Sequence, residues 1–252
     1  MITFATHDRI LITGASSGIG KAIALQLNAL GATVIASGRS QQRLEEIRSG
    51  CAHPDAFFLE PLDLLTDMDA LPAWVRSLRE QYGKLSGLVP CAGTALISPL
   101  REFDRTVANS FFDIHYTAAM LLAKGFADRR NNIGKGAAIV FMGSRAPLVA
   151  QAGLSIYAAA KGAILAATGV LSKELASAGI RVNALAPGLV KTPMAEKTYL
   201  SFLPEDRRME EIASYPFGLG EPEDVASMAA FLLSRSSKWI TGQTIILDGG
   251  RY

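Results

Sequence analysis

Three residues in the middle of the chain have the types and spacing for acid–base chemistry. Tyr157 and Lys161 are four residues apart, so on a helix they would lie on the same face. A free phenol has a pKa near ~10, and a neighbouring ammonium would stabilise the phenolate and lower that pKa. Ser144 follows an apolar run over 137–142, where a strand end could point its hydroxyl at a carbonyl oxygen. The competing interpretation is an amphipathic helix with a surface lysine, and only a cofactor site elsewhere in the chain decides between the two.

The composition is that of a globular domain. The chain has 252 residues, of which 49% are hydrophobic and 19% charged, and its formal net charge is +2. These values exclude an extended disordered chain and argue against a nucleic-acid partner. Cys51 and Cys91 are far apart and form no CxxC pattern, which predicts reduced thiols and no metal site. No apolar run reaches ~20 residues and no signal-peptide pattern is visible, so we expect a soluble, cytoplasmic protein with no membrane segment.

Apolar strands alternate with helix-length segments along almost the whole sequence. This alternation predicts an α/β fold: a single-domain, Rossmann-type, doubly wound parallel sheet of about seven strands with helices on both faces, over residues 1–252. We predict strands over 10–13, 33–37, 57–60, 87–90, 137–142, 181–186 and 244–247, and helices over 18–30, 41–49, 68–82, 103–128, 155–177 and 222–234. The segment 191–217 departs from this pattern and is expected to form a substrate lid.

A glycine-rich turn follows the first predicted strand and precedes a helix. Glycines at such a turn let the backbone approach a pyrophosphate, and the helix N-terminus offers free N–H groups to it. The position between strand and helix is the context that supports this interpretation over a purely structural turn. The predicted cofactor contacts in the turn are Gly14, Ser16, Ser17, Gly18, Ile19 and Gly20.

The G-x-x-x-G-x-G spacing of this turn, with Ser144 and Tyr157-x-x-x-Lys161 downstream, resembles the short-chain dehydrogenase/reductase family, including its 3-oxoacyl-(acyl-carrier-protein) reductase-like members. The resemblance covers essentially the whole chain. It implies an NAD(P)-dependent oxidoreductase that interconverts a carbonyl and a secondary alcohol by hydride transfer. Tyr157 would be the general acid/base, Lys161 would lower its pKa and hold the nicotinamide ribose, and Ser144 would hydrogen-bond the substrate oxygen. The resemblance assigns further cofactor contacts to Asp63, Leu64, Cys91, Ala92, Gly93, Pro187, Gly188, Val190 and Thr192.

The end of the second strand indicates which cofactor is preferred. An acidic residue at this place would bind the ribose 2′-hydroxyl of NAD, but the chain has Gly38 there, followed by Arg39. A guanidinium suits a 2′-phosphate, so we predict NADP(H), with Ser40 and Ser37 as further donors. The alternative is a solvated Arg39 and a mixed preference that includes NAD(H).

Two positions depart from the family pattern. Relatives usually have Asn-Asn-Ala-Gly after the fourth strand, whereas this chain has Pro90 and Cys91 before the Ala-Gly pair. Pro90 has no N–H for the sheet and should end its strand. Relatives also have an Asn on the long helix that helps to hold a water near the catalytic Lys, and His115 stands in its place. His115 is either a hydrogen-bonded core histidine or a substitute in that proton relay, because imidazole titrates near working pH.

The substrate site is expected to be mostly apolar and to accept a 3-oxoacyl group or another ketone. The candidate substrate residues are Ser144, Arg145, Leu154 and Tyr157, of which Arg145 either meets an anionic group or is a surface arginine. The wall around them is expected to combine Thr94, Leu96 and the segments 147–156 and 194–215, made apolar by Leu148, Val149, Leu154, Ile156, Leu200, Phe202 and Leu203.

The resemblance also implies partners. Arg129, Arg130 and Lys173 occupy regions that bind acyl carrier protein in 3-oxoacyl reductases, although basic residues at helix ends are also favoured by the helix dipole. Relatives form homotetramers through the two long helices and the C-terminal region, 239–252 here, so we expect the same. A function of another class stays open, namely an NADP(H)-binding sensor or scaffold with weak or no catalysis.

Overall fold

The computed structural model describes residues 2–251, except for the side chain of Phe202, and contains a seven-stranded parallel sheet. The strand order is β3-β2-β1-β4-β5-β6-β7. The chain runs from β1 outward to β3, then returns to the other side of β1 and continues to β7. The predicted doubly wound α/β fold is confirmed, with the strands β1 (Arg9–Thr13), β2 (Thr33–Gly38), β3 (Phe57–Pro61), β4 (Gly87–Pro90), β5 (Ala138–Met142), β6 (Arg181–Pro187) and β7 (Thr244–Leu247).

Helices cover both faces of the sheet, which explains why the central strands are apolar on both sides. Every residue of β2 and β5 is buried. One core packs α1, α2 and α10 against the sheet, and a second core packs α3, α5 and α7 against the opposite face. The helices are α1 (Gly18–Ala29), α2 (Gln41–Ser49), α3 (Leu71–Tyr82), α4 (Arg105–Phe112), α5 (Ala118–Ala127), α6 (Ala146–Val149), α7 (Ser155–Glu174), α8 (Pro193–Thr198), α9 (Glu205–Ala213) and α10 (Pro222–Leu233).

The helix predicted over 103–128 is interrupted in the structure. A π-helical turn, Asp113–Thr117, joins α4 to α5, and the N–H of Ala118 donates to the carbonyl of Asp113 five residues back. Such a turn inserts one residue into the helical repeat and rotates the side chains around it. The prediction of one regular helix is therefore wrong in this turn, which is where His115 lies.

The segment predicted as a lid contains α8, a 3-10 turn at Leu200–Phe202, and α9. Thr192 caps α8, because its hydroxyl accepts a hydrogen bond from the N–H of Ala195 at 3.1 Å. Two of the three prolines that broke the strand–helix pattern, Pro193 and Pro204, stand at the N-terminal ends of these helices. The off-pattern composition thus reflects short helices and not an irregular loop.

Among the described residues, α7 is the one helix long and apolar enough to cross a membrane. It packs on β5 and β6, and it contains the buried side chains of Ile164, Thr168 and Lys161. About a third of its apolar window, 33%, is buried in this way.

Candidate active site

A cleft of about 540 Å³ opens at the carboxyl edge of the sheet, beside the ends of β1 and β4. The order in which strands are added to the sheet reverses at this point, because β2 and β4 lie on opposite sides of β1. Thr13 at the end of β1 pairs with Ser37 of β2 and with Pro90 of β4, so the three loops that follow meet at one place. Pro90 ends its strand, as predicted. In parallel α/β sheets this crevice is where ligands bind.

The glycine turn forms the floor of one end of the cleft. Gly14 and Gly18 have φ values of +69° and +52°, which glycine adopts without strain. A Cβ on Gly14 would lie only 2.7 Å from the backbone of Ala92. The loops after β1 and β4 can therefore pack this closely only because residue 14 is a glycine. Ser17 gives α1 no side-chain cap, which leaves N–H groups of the first turn for another acceptor. This geometry fits a bound pyrophosphate.

The end of β2 forms the neighbouring wall. The hydroxyl of Ser37 lines the cleft, is buried and has no hydrogen-bond partner in the described part of the chain. Arg39 also lines the cleft and is exposed. A Cβ on Gly38 would lie 3.0 Å from the hydroxyl of Ser16, so an acidic side chain at this position would displace Ser16. Ser40 caps α2 instead, since its hydroxyl accepts from the N–H of Arg43 at 3.3 Å.

The end of the cleft beside β2 contains the two predicted residues from the loop after β3. Leu64 is buried and lines the cleft. Asp63 is exposed at the rim, and its carboxylate accepts a hydrogen bond from the N–H of Leu65 at 3.0 Å. Both side chains therefore lie on the wall beside Arg39.

Ser144, Tyr157 and Lys161 come together on the other wall. Ser144 follows β5, and α7 presents Tyr157 and Lys161 from successive turns. Lys161 is only 6% exposed, and its Nζ donates to the carbonyl oxygen of Met142 at 2.8 Å. The hydroxyl of Ser144 accepts from the N–H of Ala146 at 3.1 Å, and its position at the end of a buried strand holds it against Tyr157. The surface-lysine interpretation is wrong, because Lys161 is buried.

Burial controls the electrostatics of these groups. It raises the pKa of Tyr157, while a hydrogen bond with Ser144 acts in the opposite direction. It lowers the pKa of Lys161 to about 8. The sequence led us to expect that Lys161 lowers the pKa of Tyr157; in the structure the ammonium is directed at Met142, and desolvation of the phenol is the larger effect.

Cys91, Ala92 and Gly93 follow β4 and line the cleft on the same side as Lys161. Burial raises the pKa of the Cys91 thiol to about 11, and the charge of Lys161 opposes this rise. The thiol therefore stays protonated at neutral pH. In the described residues no three His, Cys, Asp or Glu side chains lie close enough together to hold a metal ion.

His115 is buried and faces the cleft from the π turn. Its Nε2 lies 2.8 Å from the carbonyl oxygen of Thr94, so Nε2 donates there and Nδ1 is the acceptor. Nδ1 is buried and has no partner in the described residues, and the ring meets the edge of Tyr157 at 5.6 Å between centroids. Burial, aided by the charge of Lys161, lowers the pKa of His115 to about 2. Burial therefore favours the neutral imidazole at working pH, and a role of His115 in the proton relay stays a prediction.

The segment Pro187–Thr192 lies between β6 and α8. The N–H of Gly188 donates to the carbonyl of Leu247 at 2.8 Å, and Val190 is buried. A Cβ on Gly188 would lie 3.0 Å from Asp248, which holds the segment tightly against the C-terminal residues. Pro187, Gly188, Val190 and Thr192 all line the cleft.

The substrate end differs from the prediction in several residues. Arg145 is only 7% exposed and its Nε lies 3.2 Å from a carboxylate oxygen of Asp248, so it is not a surface arginine. Thr94, Leu96, Val149 and Leu154 line the cleft as expected. Four predicted residues are not part of the lining: Leu148, which is exposed to solvent, Ile156 and Leu200, which are buried away from the cleft, and Leu203. The side chain of Phe202 lies outside the described residues.

The segment 194–215 contributes to this wall as predicted, but its polar residues there and the contribution of Arg251 were not expected. The segment 191–217 contributes Tyr199, Glu211 and Tyr215 to the lining, and the C-terminal segment contributes Arg251. The mixed charge of the segment 191–217 was the signal in the sequence for polar residues at this wall. Residues 211 and 251 come together only in the folded chain.

The basic residues considered for a carrier protein lie far from the cleft. Arg129 and Arg130 follow the C-terminal end of α5, and Lys173 is in the last turn of α7. Both helices lead into the amino ends of strands, whereas the cleft is at the carboxyl ends. Arg130 is already paired with Asp128, with Nη2 and Oδ2 2.6 Å apart.

Comparisons with known proteins identify the family to which the chain belongs. Residues 14–251 match the sequence model of a family described as Enoyl-(Acyl carrier protein) reductase. The 3-oxoacyl-(acyl-carrier-protein) reductase FabG of Thermotoga maritima is 36% identical over 247 residues, covering 95% of this chain and 96% of that protein. The FabG of Rickettsia prowazekii is 34% identical, with 97% of both chains covered. A crystal structure of the short-chain dehydrogenase/reductase SDR:Glucose/ribitol dehydrogenase from Brucella melitensis has a TM-score of 0.90 at 29% identity, covering 100% of this chain and 99% of that one.

The chain belongs to the short-chain dehydrogenase/reductase family. It is accordingly an oxidoreductase that acts on CH–OH or carbonyl groups with NAD(P), as the resemblance implied.

Proposed function

We propose that the protein is an NADP(H)-dependent reductase of a 3-oxoacyl group or another ketone. The observation that carries the proposal is the placement of Ser144, Tyr157 and Lys161 on one wall of a cleft whose other end is the glycine turn. A binding-only module would have no need for a protonated phenol, a serine hydroxyl and a buried lysine at one position. The sensor interpretation from the sequence therefore becomes an outcome of the test.

The preference for NADP(H) rests on the end of β2. Arg39 takes part in none of the salt bridges found among residues 2–251, and the buried hydroxyl of Ser37 lacks a partner. A 2′-phosphate would satisfy both groups, the guanidinium by charge-assisted hydrogen bonds. Ser40 would contribute less than expected, because its hydroxyl already caps α2. When bound, the nicotinamide supplies or accepts the hydride.

Tyr157 and Ser144 handle the oxygen of the substrate. As hydride reaches the carbonyl carbon, the phenol of Tyr157 gives its proton to the oxygen, and the hydroxyl of Ser144 donates a hydrogen bond to the developing negative charge. Burial keeps the phenol protonated, which is the form that reduction uses. Lys161 would hold the ribose hydroxyls and return a proton to the phenol of Tyr157.

His115 takes part in this relay as a neutral hydrogen-bonding group. Its unpartnered, buried Nδ1 can accept a hydrogen bond from a water beside Lys161, while Nε2 is fixed by Thr94. Burial lowers the pKa of His115, which favours a role as a neutral hydrogen-bonding group over one in which it gains and loses a proton.

The apolar lining at Leu96, Val149, Leu154 and Met194 favours a substrate with a hydrocarbon part. The relatives named as 3-oxoacyl reductases make an acyl thioester the first substrate to test, with acyl carrier protein as its possible carrier. Because the basic residues lie at the opposite edge of the sheet, a carrier bound there would serve the cleft of another subunit.

A homotetramer in the cytoplasm is part of the proposal. Trp239 is 95% exposed and Phe217 88% exposed, and β7 is an edge strand, which together would give an association surface. The C-terminal region 239–252 expected to form part of the interface includes Tyr252, which lies outside the described residues. A sedimentation mass of one subunit would contradict the tetramer.

The experiment that tests the function is Tyr157→Phe, assayed with NADPH on a panel of ketones, acyl thioesters, quinones and sugars. We expect turnover to fall by about 10²- to 10⁴-fold while the Kd for NADPH is unchanged, because only the proton donor is removed. Near-normal turnover in this variant would overturn the assignment. Cofactor binding by the unmodified protein without turnover on any carbonyl would favour the sensor.

A further inference from the structure

The C-terminal residues 248–251 turn back toward the lid. Gly249 and Gly250 have φ values of +58° and +76°, a left-handed conformation that other residues rarely adopt. Asp248 fixes the turn, since one carboxylate oxygen accepts from the N–H of Gly250 at 3.2 Å and the other lies 3.2 Å from Nε of Arg145. The turn carries Arg251 from the end of β7 to the lid helix α9.

Arg251 binds this helix through two residues. Its guanidinium forms a two-pronged ion pair with Glu211, with Nη2 and Oε2 2.9 Å apart. Nη1 also donates to the hydroxyl of Tyr215 at 2.9 Å, and the guanidinium carbon lies 4.8 Å from the centre of that ring. The side chains of Arg251 and Glu211 are only 24% and 13% exposed, so this pair is less screened than a surface pair. Both line the cleft.

The contact continues to the cofactor side of the cleft. The hydroxyl of Tyr215 accepts a hydrogen bond from the N–H of Leu189, which belongs to the segment Pro187–Thr192. One network therefore joins the C-terminal turn, the lid and the loop after β6. In a second contact, Nε2 of Gln151 donates to the hydroxyl of Tyr199 at 2.8 Å. This bond joins the residue that follows α8 to the loop that follows α6.

We propose that Arg251 is a positioning residue that holds the lid helix α9 closed over the substrate end of the cleft. It reaches no catalytic group, so its effect is on how often the lid is closed. An open lid leaves the substrate site incomplete, and apparent substrate affinity then falls with the closed fraction. The statement about substrate rests on the proposed function, whereas the closure of α9 does not.

The test compares Arg251→Met with Arg207→Met. Arg207 lies on the same helix, in an exposed pair with Glu210, and is the matched control. For Arg251→Met we expect amide hydrogen exchange over 205–213 to become about tenfold faster. We expect the KM of the ketone to rise about tenfold as well. Both changes correspond to a loss of about 1.4 kcal/mol in the free energy of lid closure. We expect kcat to change by less than about threefold, because no group at the reacting atoms is altered. Arg207→Met should leave all three unchanged.

Glu211→Gln should reproduce the effect, and the double variant Arg251→Met with Glu211→Gln should add nothing further, because both changes break one pair. Arg251→Lys should restore part of the closure through its charge alone. Unchanged exchange over 205–213 in Arg251→Met, or an equal change in Arg207→Met, would overturn the proposal. If the unmodified protein reduces no carbonyl, the proposed function fails, and the exchange experiment still decides the role of Arg251.

Discussion

Lys161 should make the folded protein less stable than it would be with an apolar residue at this position. Its pKa falls from the usual 10.5 to about 8 because the ammonium is buried, and a change of this size corresponds to about 3 kcal/mol. Methionine has a similar length and no charge. Lys161→Met loses the hydrogen bond to Met142, worth about 1 kcal/mol, so we expect a net gain of about 2 kcal/mol at pH 7.

The pH dependence gives a sharper test. Below pH 8 the lysine is protonated in both the folded and the unfolded state, and its full destabilising effect is present. Between about pH 8 and 10.5 the unfolded chain keeps the proton that the folded protein has released, so the stability contribution of Lys161 improves as pH rises. Lys161→Met should lack this rise, and its advantage over the unmodified protein should shrink between pH 7 and pH 9.5.

Urea unfolding followed by circular dichroism, at one protein concentration and without cofactor, measures both quantities. Lys173→Met is the matched control, because Lys173 is on the same helix and exposed. It should leave the free energy of unfolding unchanged at both pH values. If Lys161→Met is no more stable than the unmodified protein at pH 7, or keeps the same pH dependence, the buried-ammonium reasoning is wrong.

Three further changes test other parts of the site. Arg39→Asp should raise the KM for NADPH about 100-fold and change that for NADH little, since it removes charge-assisted bonds to the 2′-phosphate; an unchanged ratio of the two would contradict the cofactor assignment. His115→Asn should alter the pH–rate profile of kcat by removing the Nδ1 acceptor, whereas unchanged kinetics would leave His115 a packing role. Gly14→Ala should destabilise the protein by about 2 to 4 kcal/mol in thermal or urea unfolding, because its Cβ would meet the backbone of Ala92. Gly136→Ala, with positive φ but open space, isolates the strain and should cost less.

The elements that could be predicted are those whose signal is local. The strands are apolar because both faces are covered, so runs such as β5 stand out, and the glycine turn is identified by lying between a strand and a helix. Tyr157 and Lys161 share a helix face, which spacing alone determines. These local patterns were enough to identify residues that the fold brings together in the cleft.

The parts that could not be predicted depend on packing between distant segments. The π turn at Asp113–Thr117 has no strong local pattern, yet it determines where His115 points. The burial of Arg145 could not be predicted, because its ion-pair partner Asp248 lies more than a hundred residues later in the chain. The pKa values of the site follow from burial, which a sequence does not give for an individual side chain.

Burial acts on Tyr157 and Lys161 in opposite senses, and this bears on the direction of the reaction. It raises the pKa of the phenol and lowers that of the amine, so each group is pushed toward its uncharged form. For the phenol the uncharged form is the proton donor, and reduction needs no prior change of its protonation. Oxidation of an alcohol needs the phenolate, which the protein alone disfavours. Under the proposed function, these two shifts favour carbonyl reduction near neutral pH, and oxidation would require more alkaline conditions or an added positive charge beside Tyr157.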